Sequence, residues 1–133
     1  MTIHAVDVLV IDDEPVVRDA VRLVLGHEGF VVEAAADAAA GLAHPALAEC
    51  RMLLCDLMLP GAGGFEVLRR VRLLRPDVPV VMITGYATDA NAERAMLEGA
   101  TAFLAKPFDD VELLNLVRQV LARTDAHGED VTP

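Results

Sequence analysis

The sequence predicts an α/β fold: a parallel five-stranded sheet covered on both faces by helices, in three layers. Three observations carry this reading. Five short apolar runs recur along the chain: Val6 to Ile11, Phe30 to Val32, Met52 to Cys55, Val80 to Ile83 and Ala102 to Ala105. They have strand length, and apart from Asp7 in the first they carry no polar interruption, which suits strands buried on both faces. Between the runs lie segments whose apolar residues recur with helical spacing. Strand then helix, repeated five times, implies parallel strands joined by right-handed crossovers.

The elements follow in order. After the first run, Pro15 to Leu25 places Val17, Ala20, Val21 and Val24 on one face and turns Arg18, Asp19 and Arg22 away. Pro15 suits a first helical turn, and Gly26 is a stop signal. Asp37 is positioned to cap a short alanine-rich helix that Pro45 interrupts. Phe65 to Leu74 alternates Val67, Leu68 and Val71 with Arg69, Arg70 and Arg72, then ends at Arg75-Pro76-Asp77. Asp89 is expected to cap a helix reaching Glu98 before Gly99. Asp109 opens the last helix, in which Val111, Leu114, Val117 and Leu121 keep i, i+3, i+4 spacing. Residues 124–133 are polar and without periodicity, and read as a flexible tail or the start of a linker.

Composition narrows the function. The 133 residues suit one domain, which at this size hides roughly two thirds of its unfolded surface. At 54% hydrophobic and 24% charged, the chain is not of the disordered class. No apolar run approaches the roughly 18 residues needed to cross a bilayer. Met1 to Asp7 shows no basic flank and no cleavage site, so a cytoplasmic location is expected, with no membrane partner. Eleven basic against 21 acidic residues give a net charge of −10, which opposes direct nucleic-acid binding. Cys50 and Cys55, spaced C-x4-C with no histidine cluster, read as reduced structural thiols.

In an open α/β sheet the functional groups gather beyond the carboxyl ends of the strands. Here the first strand runs into Asp12-Asp13-Glu14, the third into Asp56, the fourth into Thr84-Gly85 and the fifth into Lys106-Pro107. Taken singly, each has an ordinary reading as a helix-entry acid, a turn residue or a solvated lysine. Taken together they form a set. Carboxylates held close together need a cation, and hard oxygen ligands without His or Cys suit magnesium. A metal there can carry one phosphoryl oxygen, Lys106 can neutralise another, and the Thr84 hydroxyl can donate to a third. Asp56 is then a nucleophile accepting phosphate.

These residues carry a resemblance. From Val8 to Leu121 the chain resembles the receiver domain of two-component response regulators, of the chemotaxis-regulator type, through VLVIDDEP (8–15), LLCDLMLPGAGGFEVL (53–68), PVVMITGYA (79–87) and GATAFLAKPF (99–108). The resemblance implies a doubly wound, flavodoxin-like (βα)5 sheet in strand order 2-1-3-4-5, with a receiver domain over residues 1–123. It implies that Asp56 is the phosphoacceptor, that Asp13 binds Mg2+ directly, and that Asp12 does so largely through water. The Met58 carbonyl is the implied third protein ligand, Thr84 the switch hydroxyl, Lys106 the phosphate-binding ammonium and Phe103 the switch aromatic. It also implies a cis Lys106–Pro107 bond aiming Lys106 inward. The expected donor is a sensor histidine kinase or histidine phosphotransfer protein, and the readout is the face of the fourth helix, fifth strand and fifth helix. That face would meet a downstream target or output domain, or a second copy in a phosphorylation-dependent homodimer. The start at Met1 favours an N-terminal or free-standing receiver over the end of a hybrid kinase.

The chain departs from the pattern in places. Ala62 and Gly63 stand where many relatives have Met and Asp. Thr101-Ala102 replaces the acidic pair of the winged-helix branch, which puts that branch's charged dimer interface in doubt. Met58 and Tyr86 flank the expected approach to the phosphate, where some relatives are polar. A competing reading is an aspartate-nucleophile phosphohydrolase, but that class places D-x-D after the first strand, and here the run is Asp12-Asp13-Glu14. A flavin or nucleotide binder would need G-x-G-x-x-G or a P-loop, and the glycines at 61, 63 and 64 follow the third strand instead. The expectation is a signalling domain, not an enzyme acting on an external substrate.

Overall fold

A computed structural model describes residues 5–61 and 63–130, with side chains through Arg123. The chain runs β1 (Val8–Ile11), α1 (Pro15–His27), β2 (Val32–Ala35), α2 (Ala38–Leu42), a 3₁₀ turn (Pro45–Ala48), β3 (Met52–Asp56), α3 (Gly63–Leu74), β4 (Val80–Thr84), α4 (Asp89–Leu97), β5 (Ala102–Ala105) and α5 (Asp110–Asp130). All strand pairings are parallel, in the order β2-β1-β3-β4-β5. The doubly wound (βα)5 sheet in order 2-1-3-4-5 is therefore as expected.

Strand alternation divides the core in two. Val8, Val10, Met52, Leu54, Val81 and Ile83 point to one face and pack with Val21 and Leu25 of α1 and with Leu113, Val117 and Leu121 of α5. Their neighbours Leu9, Ile11, Leu53, Cys55, Val80 and Met82 point to the other, against Ala38 of α2, Val67, Leu68 and Val71 of α3 and Ala95 of α4. Both faces are covered, so the central strands read as unbroken apolar runs. Cys50 and Cys55 are buried free thiols within the second cluster, and burial pushes both thiols up.

Several element ends differ from expectation, each for a local reason. β2 starts at Val32 instead of Phe30: Asp7 ties Val31 from both sides, its N–H donating to the Val31 carbonyl and its carboxylate accepting the Val31 N–H. The small side chains of Ala34 and Ala35 hid the rest of that strand. α1 passes Gly26 to His27 and ends where Gly29 adopts φ +89°, a conformation glycine takes without strain. Asp37 caps α2 as expected, accepting the Ala40 N–H at 2.7 Å. The cap of α4 is Thr88, whose hydroxyl accepts the Asn91 N–H at 3.1 Å, so Asp89 becomes the first helical residue. Asp109 and Glu112 bond each other's backbone N–H, a reciprocal box that starts α5. The α5 backbone stays helical to Asp130, past the expected start of the tail at Thr124, because propagation adds a bond per residue and no proline intervenes. Met1 to His4, Ala62 and residues 131–133 lie outside the described residues.

Candidate functional site

Sheet register brings four strand ends to one edge. Ile11 pairs with Cys55, so Asp12 lies level with Asp56. Asp56 pairs with Ile83, and Thr84 with Ala105, so Thr84 and Lys106 follow one step further on. Asp12, Asp56 and Thr84 are the buried polar residues described there.

Each of these three side chains accepts the N–H two residues ahead. Asp12 Oδ1 takes Glu14 at 2.9 Å, Asp56 Oδ1 takes Met58 at 3.0 Å, and Thr84 Oγ1 takes Tyr86 at 3.0 Å. Such turns bend the chain off the sheet and fix the side chain that makes them. The turn reading of Thr84 and its place in the site are thus both true. The next residue along from Asp56 is held by close packing. A Cβ on Gly64 would collide with the Asp56 carbonyl oxygen and lie 2.8 Å from that of Leu57, so only glycine lets α3 approach this loop.

Electrostatics centres on Lys106. Its bond to Pro107 is cis, and its Nζ lies 2.7 Å from Glu14 Oε1, 2.9 Å from Asp12 Oδ2 and 3.3 Å from Asp56 Oδ2. Burial works against the ammonium, yet its contacts with Glu14, Asp12 and Asp56 together outweigh that and raise its pKa. For Asp12 burial is the larger influence. Burial raises its pKa more than the Glu14 N–H and Lys106 lower it, and the Asp56 charge adds to the rise. Asp12 is fully buried, and its Oδ2 has no hydrogen bond even though the ammonium is near. The Lys106 contact at that oxygen is a charge contact, not an aligned hydrogen bond.

The donor set fits a hard cation. Carboxylate oxygens of Asp12, Asp13, Glu14 and Asp56 lie within 4.8 Å of one another, and one of them is buried and unsatisfied. An all-oxygen set of this kind suits magnesium better than a soft metal. Asp13, Asp56, Met58, Thr84, Tyr86 and Lys106 line a cleft of about 250 Å³ over this cluster. Met58 and Tyr86 are 52% and 64% exposed, so both stand at its mouth rather than closing it. Phe103 is half-buried and shares the α3–α4 side of the sheet with Thr84 by alternation.

The structure brings Asp12, Asp13, Asp56, Thr84 and Lys106 to one edge of the sheet, with Met58 and Tyr86 lining the same cleft and Phe103 further back on β5. Two neighbours received no role from the sequence. Glu14 makes the shortest contact to Lys106, and Arg18 donates from Nη1 to the Asp12 carbonyl at 2.7 Å. Glu14 sits before Pro15 in extended backbone, which turns its side chain back across the strand end. That Glu-Pro step was the available signal.

Fold and site together define a signalling domain with an acidic pocket at the carboxyl edge of its sheet. The chain matches the model of the response regulator receiver domain family over residues 8–118, and it belongs to that family of two-component signalling. It is 37% identical over 120 residues to the DNA-binding dual master transcriptional regulator RpaA of Synechocystis sp., covering 89% of this chain and 50% of that protein. It is 35% identical over 120 residues to the uncharacterized 14.6 kDa protein in the sodA1 3' region of Leptolyngbya boryana, covering 89% and 92%. Among solved structures it resembles a CheY-like receiver domain protein from Methanospirillum hungatei JF-1, with TM-score 0.86 and 31% identity over 92% of this chain and 98% of that one. NtrX from Brucella abortus gives TM-score 0.87 and 33% identity, covering 94% and 29%. The chain spans about half the length of several curated relatives it matches. Receiver domains are signalling proteins, not classical enzymes, and no helix among the described residues is long and apolar enough to cross a membrane.

Proposed function

We propose that this domain is a phosphorylation switch in which Asp56 accepts a phosphoryl group from a sensor histidine kinase or histidine phosphotransfer protein. Transfer forms an Asp56 oxygen–phosphorus bond as the phosphorus–nitrogen bond of the donor phosphohistidine breaks, its electron pair leaving with the imidazole. The Met58 N–H fixes the Asp56 carboxylate, so Oδ2 faces the Lys106 ammonium. Asp12, Asp13, Asp56 and the Met58 carbonyl would hold Mg2+, which when bound supplies positive charge to the phosphoryl oxygens. Lys106 neutralises another of those oxygens. The Thr84 hydroxyl accepts from Tyr86 and keeps its own hydrogen to donate. A shift of Thr84 toward the phosphate frees space on the side of the sheet where Phe103 lies. The readout is then the face of α4, β5 and α5, met by a downstream protein, an output domain or a second copy. The domain acts in the cytoplasm in this reading, and its net charge of −10 opposes direct nucleic-acid contact.

One observation carries the reading: a single ammonium reaches both Asp12 and Asp56 beside a buried carboxylate oxygen that has no hydrogen bond. Mass spectrometry after acetyl phosphate treatment tests it. One phosphate is expected with magnesium and none with EDTA, and Asp56→Asn abolishes the adduct. A comparable adduct on Asp56→Asn would sink the assignment.

A further inference from the structure

Lys106 is shared among three carboxylates, and its neighbours differ in what they lose if it leaves. Asp12 is wholly buried and Asp56 nearly so, and a buried carboxylate that loses its cation is strongly destabilised. The Glu14 side chain is 55% exposed and can exchange the ammonium for water at small cost. Yet Glu14 makes the shortest contact, 2.7 Å against 3.3 Å to Asp56. The shortest contact is therefore made to the partner that can most easily release the ammonium. Pro15 fixes the backbone just after Glu14, so this carboxylate reaches Lys106 from a set position.

We propose that Glu14 is a positioning residue that parks the Lys106 ammonium on itself while Asp56 is free and yields it when an anion arrives at Asp56. The inference rests on the phosphorylation reading and adds an element to it. An oxyanion on Asp56 must draw Lys106 from Glu14, so the Glu14 contact opposes occupancy of the site. Loosening that contact favours the occupied state. Glu14 in this role works against the anion, whereas a carboxylate serving only to hold the cation would assist it.

Beryllofluoride, a phosphate mimic, separates these roles when titrated by fluorine NMR at saturating magnesium. Glu14→Gln removes the charge, and Glu14→Asp keeps the charge but shortens the reach by a methylene. Parking predicts tighter beryllofluoride binding in both variants, by about two- to fivefold, the scale of losing one exposed ion pair. Tightening in Glu14→Gln alone would mean that Glu14 acts only through its charge, and would overturn the parking role. Weaker binding in either variant, or no change in both, would overturn it too. If the parent protein takes up no beryllofluoride with magnesium, the phosphorylation reading falls and this inference with it. Uptake by the parent with unaltered variants removes the inference alone.

Discussion

Helix α4 and the helices α1 and α5 on the opposite side of the sheet are held by different forces. On one side α1 and α5 bury large side chains, Leu25, Leu113, Val117 and Leu121 among them. On the other, α4 buries only Ala95 of its own residues. What it lacks in apolar area is replaced by polar ties to α3. Glu98 sits between Arg69 at 2.9 Å and Arg94 at 2.7 Å, Arg72 donates to the Gly99 carbonyl at 2.8 Å, and the Arg94 guanidinium lies 3.8 Å from the centre of the Phe65 ring. Apolar burial holds in any salt, whereas exposed ion pairs are weak and screened. Thus α4 is clasped and α5 is cemented. A segment expected to move on phosphorylation is the one held by reversible contacts.

The largest test of this contrast is a matched pair of truncations. Leu113→Ala removes a fully buried side chain and should cost about 2 to 5 kcal/mol in urea unfolding. Ala95→Gly in α4 should cost about 1 to 2 kcal/mol, the helix-propensity difference plus the loss of one buried methyl. Equal losses would show that α4 is anchored as firmly as α5.

Acid should act in opposite directions on the site and on the clasp. The Asp12 pKa is raised by burial, so in the metal-free protein its contribution is most favourable below the ordinary value of 3.8 and is lost as pH rises through the higher folded value. Asp12→Asn should therefore raise the neutral-pH stability, by roughly 1 kcal/mol, the scale of one close like-charge contact near water. It should also blunt the rise in melting temperature that magnesium gives the parent. A destabilised Asp12→Asn protein with an intact magnesium response would refute the account of the cluster. Glu98 has the opposite sign: Arg69 and Arg94 hold its pKa down, so its contribution is present above the ordinary 4.5 and lost as pH falls through the lower folded value.

Much of this was legible in the sequence, and the rest was not for reasons of distance. The strands β1, β3 and β4 are buried on both faces, so their unbroken apolar runs were plain; β2 lies at the sheet edge with small side chains and was misplaced by two residues at its start. Asp12, Asp56, Thr84 and Lys106 were legible because each directly follows or closes an apolar run. Glu14 and Arg18 were not, since their roles depend on Lys106, 92 residues on, and on a backbone carbonyl. The α3–α4 clasp was equally hidden. Arg69 and Glu98 are 29 residues apart, and on its own helix each looks like one more solvated charge. Alanine-rich α4 showed that apolar anchoring was small, but not what replaced it.

The smallest expected effect is also the one most specific to the clasp. Glu98→Gln removes the charge that both Arg69 and Arg94 address and leaves the side chain's shape nearly unchanged. Its partners are exposed, so the global unfolding midpoint should hardly move. Hydrogen exchange reads local opening rather than global stability, and it should show the change. Amides of residues 89–97 should exchange faster in Glu98→Gln, while those of α1 and α5 keep parent rates. Salt should do the same to the parent, because screening weakens the ties that the substitution removes. The substituted protein should then show little further response to salt in this segment. If α4 exchanges at the parent rate in Glu98→Gln, or if salt speeds α5 as much as α4, then α4 and α5 do not differ in how they are held.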